Sequence, residues 1–301
     1  MTISRAQLAK ELEPGLNALF GLEYDRYENE AKEIFESESS DRAFEEEVML
    51  SGFGTAPVKS EGSAISFDDA QETYTARYTM ETIALAFSIT EEAVEDNLYD
   101  RLAARYTRAL ARSMAQTKQI KGATVLNNAF STGSPIGDGA ALCSAAHPSL
   151  SGNQNNLLTT PADLNETSLE EILIQVAGFT DERGLKIAVR GTKLLIPKEL
   201  QFIAERIINS NLRPGTADND INAMKSMGML PEGAVVNHFF TDADAYFVKT
   251  DCPNGFKLFN RTPLKTAMEG DFDTGNMRFK ARERYSFGVS DWRCVFGTPG
   301  A

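Results

Sequence analysis

A long helical pattern without a helix-breaking residue constrains the fold of this chain more than any other feature. From Thr90 to Lys121 there is neither Pro nor Gly, and the stretch ends at Gly122. Thr90 suits the N-cap position, and Glu91 and Glu92 suit the positive end of the helix dipole. At ~1.5 Å per residue, this predicts one helix roughly 45 Å long. Its apolar residues follow one broad arc at helical spacing: Val94, Leu98, Leu102, Tyr106, Ala109, Leu110, Met114 and Ile120.

The same helix carries a separate row of arginines, which are Arg101, Arg105, Arg108 and Arg112. Charges at helical spacing most often form a solvated face, and the alternative is a contact surface. Residues 1–50 hold 13 acids and 5 bases, whereas residues 98–122 hold 1 acid and 6 bases. This asymmetry suggests the hypothesis that arm carboxylates, from the same or an adjacent subunit, dock on the arginine row.

The first 50 residues predict an acidic arm that contains one amphipathic helix. The apolar residues at helical spacing are Tyr24, Tyr27, Ala31, Ile34 and Phe35. A single apolar stripe needs a partner. Packing on the chain's own core and packing on a neighbouring subunit or companion protein both fit, and the sequence leaves the choice open.

A protruding loop is predicted next, because residues 52–72 are rich in Gly and have too little apolar content for a core layer. In the following segment apolar and polar residues alternate, and the apolar register then shifts by one residue. The shift predicts a bulge or twist near Glu81. The alternating residues are Tyr74, Ala76, Tyr78 and Met80 before the shift, and Ile83, Leu85, Phe87 and Ile89 after it.

The second half of the chain predicts a long loop followed by a compact α/β region. Residues 127–167 are rich in Gly, Ser, Asn and Pro without a sustained period. Helices are predicted over Ser168–Phe179 and from Pro197. Strands are predicted at Lys193–Ile196, Ala234–Phe240, Ala245–Lys249 and Phe256–Phe259, and as two long strands around Gly288 within Met277–Val295.

Composition excludes several classes of protein. The net charge of -13 would repel nucleic acid, which argues against a sequence-reading DNA-binding protein. No apolar run is long enough to span a bilayer, and the N-terminus lacks the pattern of a signal peptide. Three widely spaced cysteines favour a reducing compartment and predict neither a disulfide framework nor a zinc ribbon. We therefore expect a cytoplasmic protein that has no membrane partner.

Catalytic candidates are weak. His147 and His238 lie in unrelated segments, so a multi-histidine metal site is not expected. Cys143 and His147 are four residues apart, but nothing in the sequence would orient the imidazole, and a packed thiol is the expected outcome. Asp273 begins an Asp-Thr-Gly tripeptide, which a homodimeric aspartic protease would use, although the acidic residues before it argue for a turn from Gly270 to Asn276. We expect no enzyme activity and no cofactor.

The order of elements, together with three local strings, resembles the tailed-phage major capsid protein family. Leu194–Leu200 resembles the strand-Pro-helix step of that family's axial domain, and Arg284–Arg293 resembles its closing strands, with a bend at Gly288. Ala146-His147-Pro148, followed by Gly152, resembles a crossover loop common in the family.

The resemblance implies an α+β fold built from four parts. They are an N-terminal arm (1–50), an extended β-hairpin loop (51–88), a peripheral domain (89–165 and 255–292, with the spine helix at 90–121) and an axial α/β domain (166–254 and 293–301). It implies a virion protein, made in the host cytoplasm, that assembles with itself as pentamers and hexamers into an icosahedral shell around double-stranded DNA. Binding to that DNA would not be sequence-specific.

The resemblance also implies partners and intersubunit contacts. A separate scaffolding protein, a portal and possible decoration proteins are expected. In the loop, Tyr74, Tyr78 and Met80 would anchor on a neighbour, and Lys59 is the one lysine available for a Lys–Asn cross-link. Three alternatives stay open: an encapsulin-type nanocompartment shell, a minor head or tail-tube protein, and the remote reading as a protease.

Overall fold

The computed structural model contains both helices and strands and describes residues 5–27, 29–90, 92, 99–132, 136–213, 220–271 and 275–301. Five α-helices lie in this part of the chain: α1 Arg5–Asp25, α2 Tyr99–Asn127, α3 Glu166–Ala177, α4 Gln201–Asn209 and α5 Ala223–Met227. The described strands are β1 Glu36–Ser39, β2 Phe44–Leu50, β3 Glu72–Thr79, β4 Glu81–Ile89, β5 Gly191–Pro197, β6 Ala234–Asn237, β7 Tyr246–Thr250, β8 Phe256–Gly270, β9 Met277–Val289 and β10 Val295–Thr298.

The predicted spine helix is α2, which extends through Gly122 to Asn127. A Cβ at Gly122 would lie 3.1 Å from the Cβ of Ala31 and 3.4 Å from the ring of Phe287. Glycine is therefore used here for close packing and does not end the helix. The predicted first turns at residues 91 and 93–98 lie outside the described residues.

A four-stranded sheet, which we call the peripheral sheet, packs against α2. Its strand order is β1-β8-β9-β4, with β8, β9 and β4 antiparallel and β1 parallel to β8. Apolar side chains of α1, α2, β4 and β9 form one buried cluster between helices and sheet. Its fully buried members include Phe20, Ala111, Met114, Phe279 and Ala281.

A second sheet, the axial sheet, has the order β10-β7-β5-β6. Its central strand β5 is buried at Leu194, Leu195 and Ile196, as expected for a strand covered on both faces. Helix α3 begins with a capping box between Asn165 and Ser168 and packs its apolar side into the same core. The predicted α/β region is thereby confirmed, and most boundaries differ by three residues or fewer. The strand predicted to end at Phe259 continues to Gly270, and the helix predicted from Pro197 begins with a 3-10 turn before α4.

The protruding hairpin is formed by β2 and β3, and residues 51–71 between them have no regular structure. The predicted bulge near Glu81 is wrong. Strand β3 pairs with β2, whereas β4 pairs with β9 in the peripheral sheet, so the shift in apolar register marks the passage of the chain from one sheet to another. The irregularity in this region lies instead between Val48 and Leu50.

Two further sequence predictions are corrected. The arm helix α1 ends at Asp25, and Ala31 belongs to a separate 3-10 turn, so the five apolar arm residues do not share one helix. The closing strand β9 continues through Gly288 and ends at Val289, with a 3-10 turn before β10. Among the described helices, none is long and apolar enough to span a membrane.

Candidate functional site

The loop at residues 51–71 exposes an unusual number of large apolar side chains. Val58 and Phe67 are 97% and 96% exposed, and Phe53 and Ile65 are mostly exposed as well. Lys59 is also exposed in this loop. Soluble monomers seldom leave several aromatic and aliphatic side chains open together, and such groups usually mark a surface that another molecule covers.

The root of this loop is held by its own chain. Tyr78 and Met80 are buried beside Phe259, and the Tyr78 and Phe259 rings are 4.8 Å apart. Tyr74 is half-buried and packs against the main core. Side chains as enclosed as Tyr78 and Met80 have almost no surface left for a neighbour, which corrects their predicted role as anchors on one.

A buried lysine ties the loop root to the arm. Lys257 on β8 is almost fully buried and forms ion pairs with Glu38 of β1, at 3.2 Å, and with Glu47 of β2. Burial acts to lower the pKa of Lys257, but its hydrogen bonds to Glu47 and Glu38 outweigh burial, and the pKa is raised. Glu47 also accepts a hydrogen bond from Ser290, which is in turn bonded to the Tyr78 hydroxyl.

Two further arm acids, Glu33 and Glu30, pair with residues in or next to the axial sheet. Lys193 donates to Glu33 at 2.9 Å and to Glu232 at 3.0 Å. The ring of His238 is 2.7 Å from Glu30 through Nδ1. These contacts hold the arm on its own chain, and Phe35 is buried in that chain's core, so the expected contact of Phe35 with a neighbour is corrected as well.

The arginine row of α2 has no acidic partner among the described residues. Arg105, Arg108 and Arg112 are exposed, and the side chain of Arg101 lies outside the described part. Arg112 lies 6.0 Å from the ring of Tyr27, which is itself partly exposed. Within the same chain, docking of Glu30, Glu33, Glu38 and Glu47 on this row is wrong, because these carboxylates pair with His238, Lys193 and Lys257. Docking of arm carboxylates from an adjacent subunit stays a prediction.

Tyr24 packs against the buried cluster between α1, α2 and the peripheral sheet. Its hydroxyl donates to Glu283 at 3.3 Å, and Lys118 also contacts Glu283 at 3.2 Å. Burial first, and the negative charge of Glu283 second, raise the pKa of Tyr24. Tyr24 is therefore largely committed to its own chain, whereas Tyr27 retains exposed surface.

A buried charged stack joins the crossover loop to the closing strands. Arg293 donates to Glu182 at 2.9 Å and lies 3.3 Å from Asp291, and its guanidinium is 4.4 Å from the Trp292 ring. The indole also contacts Phe179, edge to face at 5.4 Å, and His147, whose ring is parallel to it at 4.5 Å. Nδ1 of His147 is 2.6 Å from a carboxylate oxygen of the buried Asp138.

The catalytic candidates are not assembled into a reactive site. Burial raises the pKa of the Cys143 thiol, and His147 bonds to Asp138 and Asn156 rather than to sulfur. Asp273 lies outside the described residues. Among the residues that are described, no group of three or more His, Cys, Asp or Glu side chains could hold a metal ion.

The sequence patterns did not identify Lys257, which holds the root of the loop at residues 51–71, or Arg293, which lies in the charged stack. Lys257 and Arg293 are charged residues inside otherwise apolar strand segments, and that placement was the available signal. Their partners Glu38, Glu47 and Glu182 are distant along the chain, so no spacing rule could have paired them.

Comparison with known proteins gives one family and one fold. A family model described as phage capsid protein matches residues 73–297, and a search of curated proteins finds no match. The virus-like particle from Pyrococcus furiosus has a similar structure, with a TM-score of 0.53 and 8% identity over 94% of this chain and 97% of that chain. The capsid of Myoviridae phage XM1 gives a TM-score of 0.52 and 11% identity over 89% of both chains. A chain of Microbacterium phage Oxtober96 gives 0.51 and 12% over 89% of both. At these identities the likeness concerns the fold, which is that of phage capsid proteins.

Proposed function

This chain belongs to the phage capsid protein family, as its sequence suggested, and we propose that it is the major capsid protein of a tailed bacteriophage. In this proposal the protein assembles with itself as pentamers and hexamers into an icosahedral shell that encloses double-stranded DNA. Assembly takes place in the host cytoplasm, with a separate scaffolding protein and a portal, and decoration proteins are an optional outer layer.

The observation that carries this proposal is the apolar loop at residues 51–71. Its root is fixed by Tyr78, Met80 and the Lys257 ion pairs, while its far part leaves Val58 and Phe67 open to solvent. A loop held at the base and apolar at the end supports docking on a second subunit, since covering those side chains removes apolar surface from water. Tyr27, Lys59, Arg105, Arg108 and Arg112 are further exposed residues available for intersubunit contact. Arg101, whose side chain lies outside the described part, is proposed for the same surface.

A second candidate function is the shell of an encapsulin-type nanocompartment. The likeness to the virus-like particle from Pyrococcus furiosus favours it, because that structure covers nearly the whole of both chains. The two functions differ in the contents of the shell, which are a genome in one and enzymes in the other.

Electron microscopy of the purified protein, expressed alone and with its neighbouring open reading frames, tests the proposal. We expect closed shells, and nucleic acid inside them distinguishes the phage head from a compartment loaded with enzymes. The double variant Val58→Ser/Phe67→Ser should abolish shells while leaving subunit unfolding unchanged. Ile174→Ser, at an apolar residue that is 73% exposed outside the loop, is the matched control. A stable monomer or dimer under every condition would overturn the proposal.

A further inference from the structure

The outer face of the peripheral sheet carries a dense row of cations. Along β9, every second residue is basic over four positions, and these are Arg278, Lys280, Arg282 and Arg284. The residues between them face the helices and are buried, so the strand alternation puts all four bases on the opposite side. Three of the four are exposed, and Arg284 is half-buried.

The neighbouring strands keep this face flat and add one more cation. Lys265 of β8 lies opposite Arg282, and Ala267 lies opposite Lys280. On the other side, Ala84 and Ala86 of β4 lie opposite Arg282 and Lys280. The basic side chains therefore rise from a floor of small residues, with no exposed aromatic anchor on these registers.

Most of these cations have no counter-ion within the described chain. Arg278 is paired with Asp271 at 2.5 Å. No described carboxylate lies within ion-pair distance of Lys265, Lys280, Arg282 or Arg284. The Nε of Arg284 is buried without an acceptor, and so is Nη1 of Arg261 in the adjacent bulge of β8. Lys265, Lys280 and Arg282 are exposed, so their donors are open to an acceptor from another molecule.

We propose that this face, which we call the basic sheet face, binds the phosphate backbone of double-stranded DNA without reading its sequence. The inference rests on the proposed function for its biological setting, since it assigns the surface that a shell subunit turns toward its genome. Phosphate contacts need cations and hydrogen-bond donors at regular intervals, and they need no apolar pocket. Protein partners, in contrast, are usually recognised through buried aromatic or aliphatic anchors.

A second copy of this chain is a poorer occupant for the basic sheet face. The exposed part of the extended loop, residues 52–67, carries one lysine and one glutamate and has no net charge. Nearer its root, Arg183 contacts the carboxylate of Asp68 and the backbone carbonyl of Asp69. The arm acids Glu38 and Glu47 pair with Lys257.

The proposal predicts how steeply the affinity for DNA falls with salt concentration. Four unpaired cations that each neutralise one phosphate predict that log K falls with log salt at a slope of about −3.6. The charge reversal Lys280→Glu/Arg282→Glu removes two of them and adds repulsion. It should make the salt dependence shallower, with a slope of about −1.8, and weaken DNA binding at least about tenfold at low salt.

The test measures fluorescence anisotropy of a short labelled DNA duplex with purified unassembled subunits, across a series of salt concentrations. Lys186→Glu/Lys198→Glu makes the same charge change at exposed residues away from the basic sheet face, and it should leave the slope unchanged. The neutral variant Lys280→Gln/Arg282→Gln should give an intermediate loss, and thermal unfolding of each variant checks that the sheet is intact.

Two results would overturn the inference. One is a DNA affinity and salt slope that Lys280→Glu/Arg282→Glu leaves unchanged. The other is normal DNA binding combined with failed shell assembly in that variant, which would assign the face to a protein contact. Failure of the wild-type protein to form shells would refute the proposed function instead, and the anisotropy measurement on unassembled subunits is independent of that outcome.

Discussion

Removal of the guanidinium at Arg293 should destabilise the subunit more than any other single change in the charged stack. Arg293 is 2% exposed and neutralises two carboxylates, Glu182 and Asp291, which are also buried. The substitution Arg293→Met keeps most of the side-chain volume but leaves both carboxylates without their cation. Loss of one partner from a buried ion pair typically costs about 3–5 kcal/mol of unfolding free energy.

The loss of unfolding free energy should depend on which member of the Arg293–Glu182 ion pair is changed. In Glu182→Gln, Arg293 keeps Asp291 and the carbonyl of Thr180, which it contacts at 2.7 Å, so the expected loss is about 1–3 kcal/mol. The double variant Glu182→Gln/Arg293→Met no longer buries an unpaired Glu182. It should therefore be more stable than Arg293→Met alone, with a coupling of about 1–3 kcal/mol.

Urea unfolding followed by tryptophan fluorescence measures these differences, because Trp292 is the single tryptophan and lies in the stack. Arg293→Met and Arg293→Lys form a matched pair, since lysine restores the charge without the planar contact on the indole. A loss below about 1 kcal/mol in Arg293→Met, or strict additivity in the double variant, would refute the idea that this ion pair organises the junction.

Three further predictions test packing and burial. A Cβ at Gly288 would lie 2.5 Å from the Tyr78 ring, so Gly288→Ala should cost about 1–3 kcal/mol in urea unfolding, whereas Gly270→Ala, with nothing within 4 Å, should cost far less. Burial raises the pKa of Cys143, and its thiol should react with a disulfide reagent at the unfolding rate; rapid labelling of the native protein would contradict this. Burial raises the pKa of Tyr246 from 10.0 to about 12. The contribution of its neutral hydroxyl to stability is therefore present below about pH 10 and is lost as the pH rises toward 12. An absorbance titration that showed Tyr246 ionising near pH 10 in the folded protein would refute this.

Elements with a long, uniform local pattern were predictable from the sequence. Helix α2 follows from its uninterrupted apolar arc, and β5 follows from its short apolar run before Pro197. The predicted ends of helices and strands were wrong where a residue's role depends on a contact that is distant along the chain. The sequence predicts a helix end at Gly122 and a bend at Gly288, but each glycine instead admits a neighbour at close range, Phe287 in one case and Tyr78 in the other.

Charge blocks along the sequence gave the wrong partners. The acids of residues 1–50 and the bases of residues 98–122 are predicted to meet, in one chain or between subunits, yet within one chain Glu33, Glu38 and Glu30 pair with Lys193, Lys257 and His238. Local charge density says nothing about which strands become neighbours. The more informative pattern was the alternation of bases along β9, because a period of two fixes which face of a sheet the charges share.

In the proposed shell, symmetry repeats the basic sheet face once in every subunit. In a closed shell, quasi-equivalent copies present the same surface to the same side, so a face with four unpaired cations is repeated with every subunit. A weak contact per copy then becomes strong in total, because each bound phosphate segment raises the effective concentration of the next. The net charge of -13 belongs to the chain as a whole and does not decide what each face binds. A protein that is acidic overall can thus hold a polyanion on one side, provided that its cations are concentrated there and its acids are paired elsewhere.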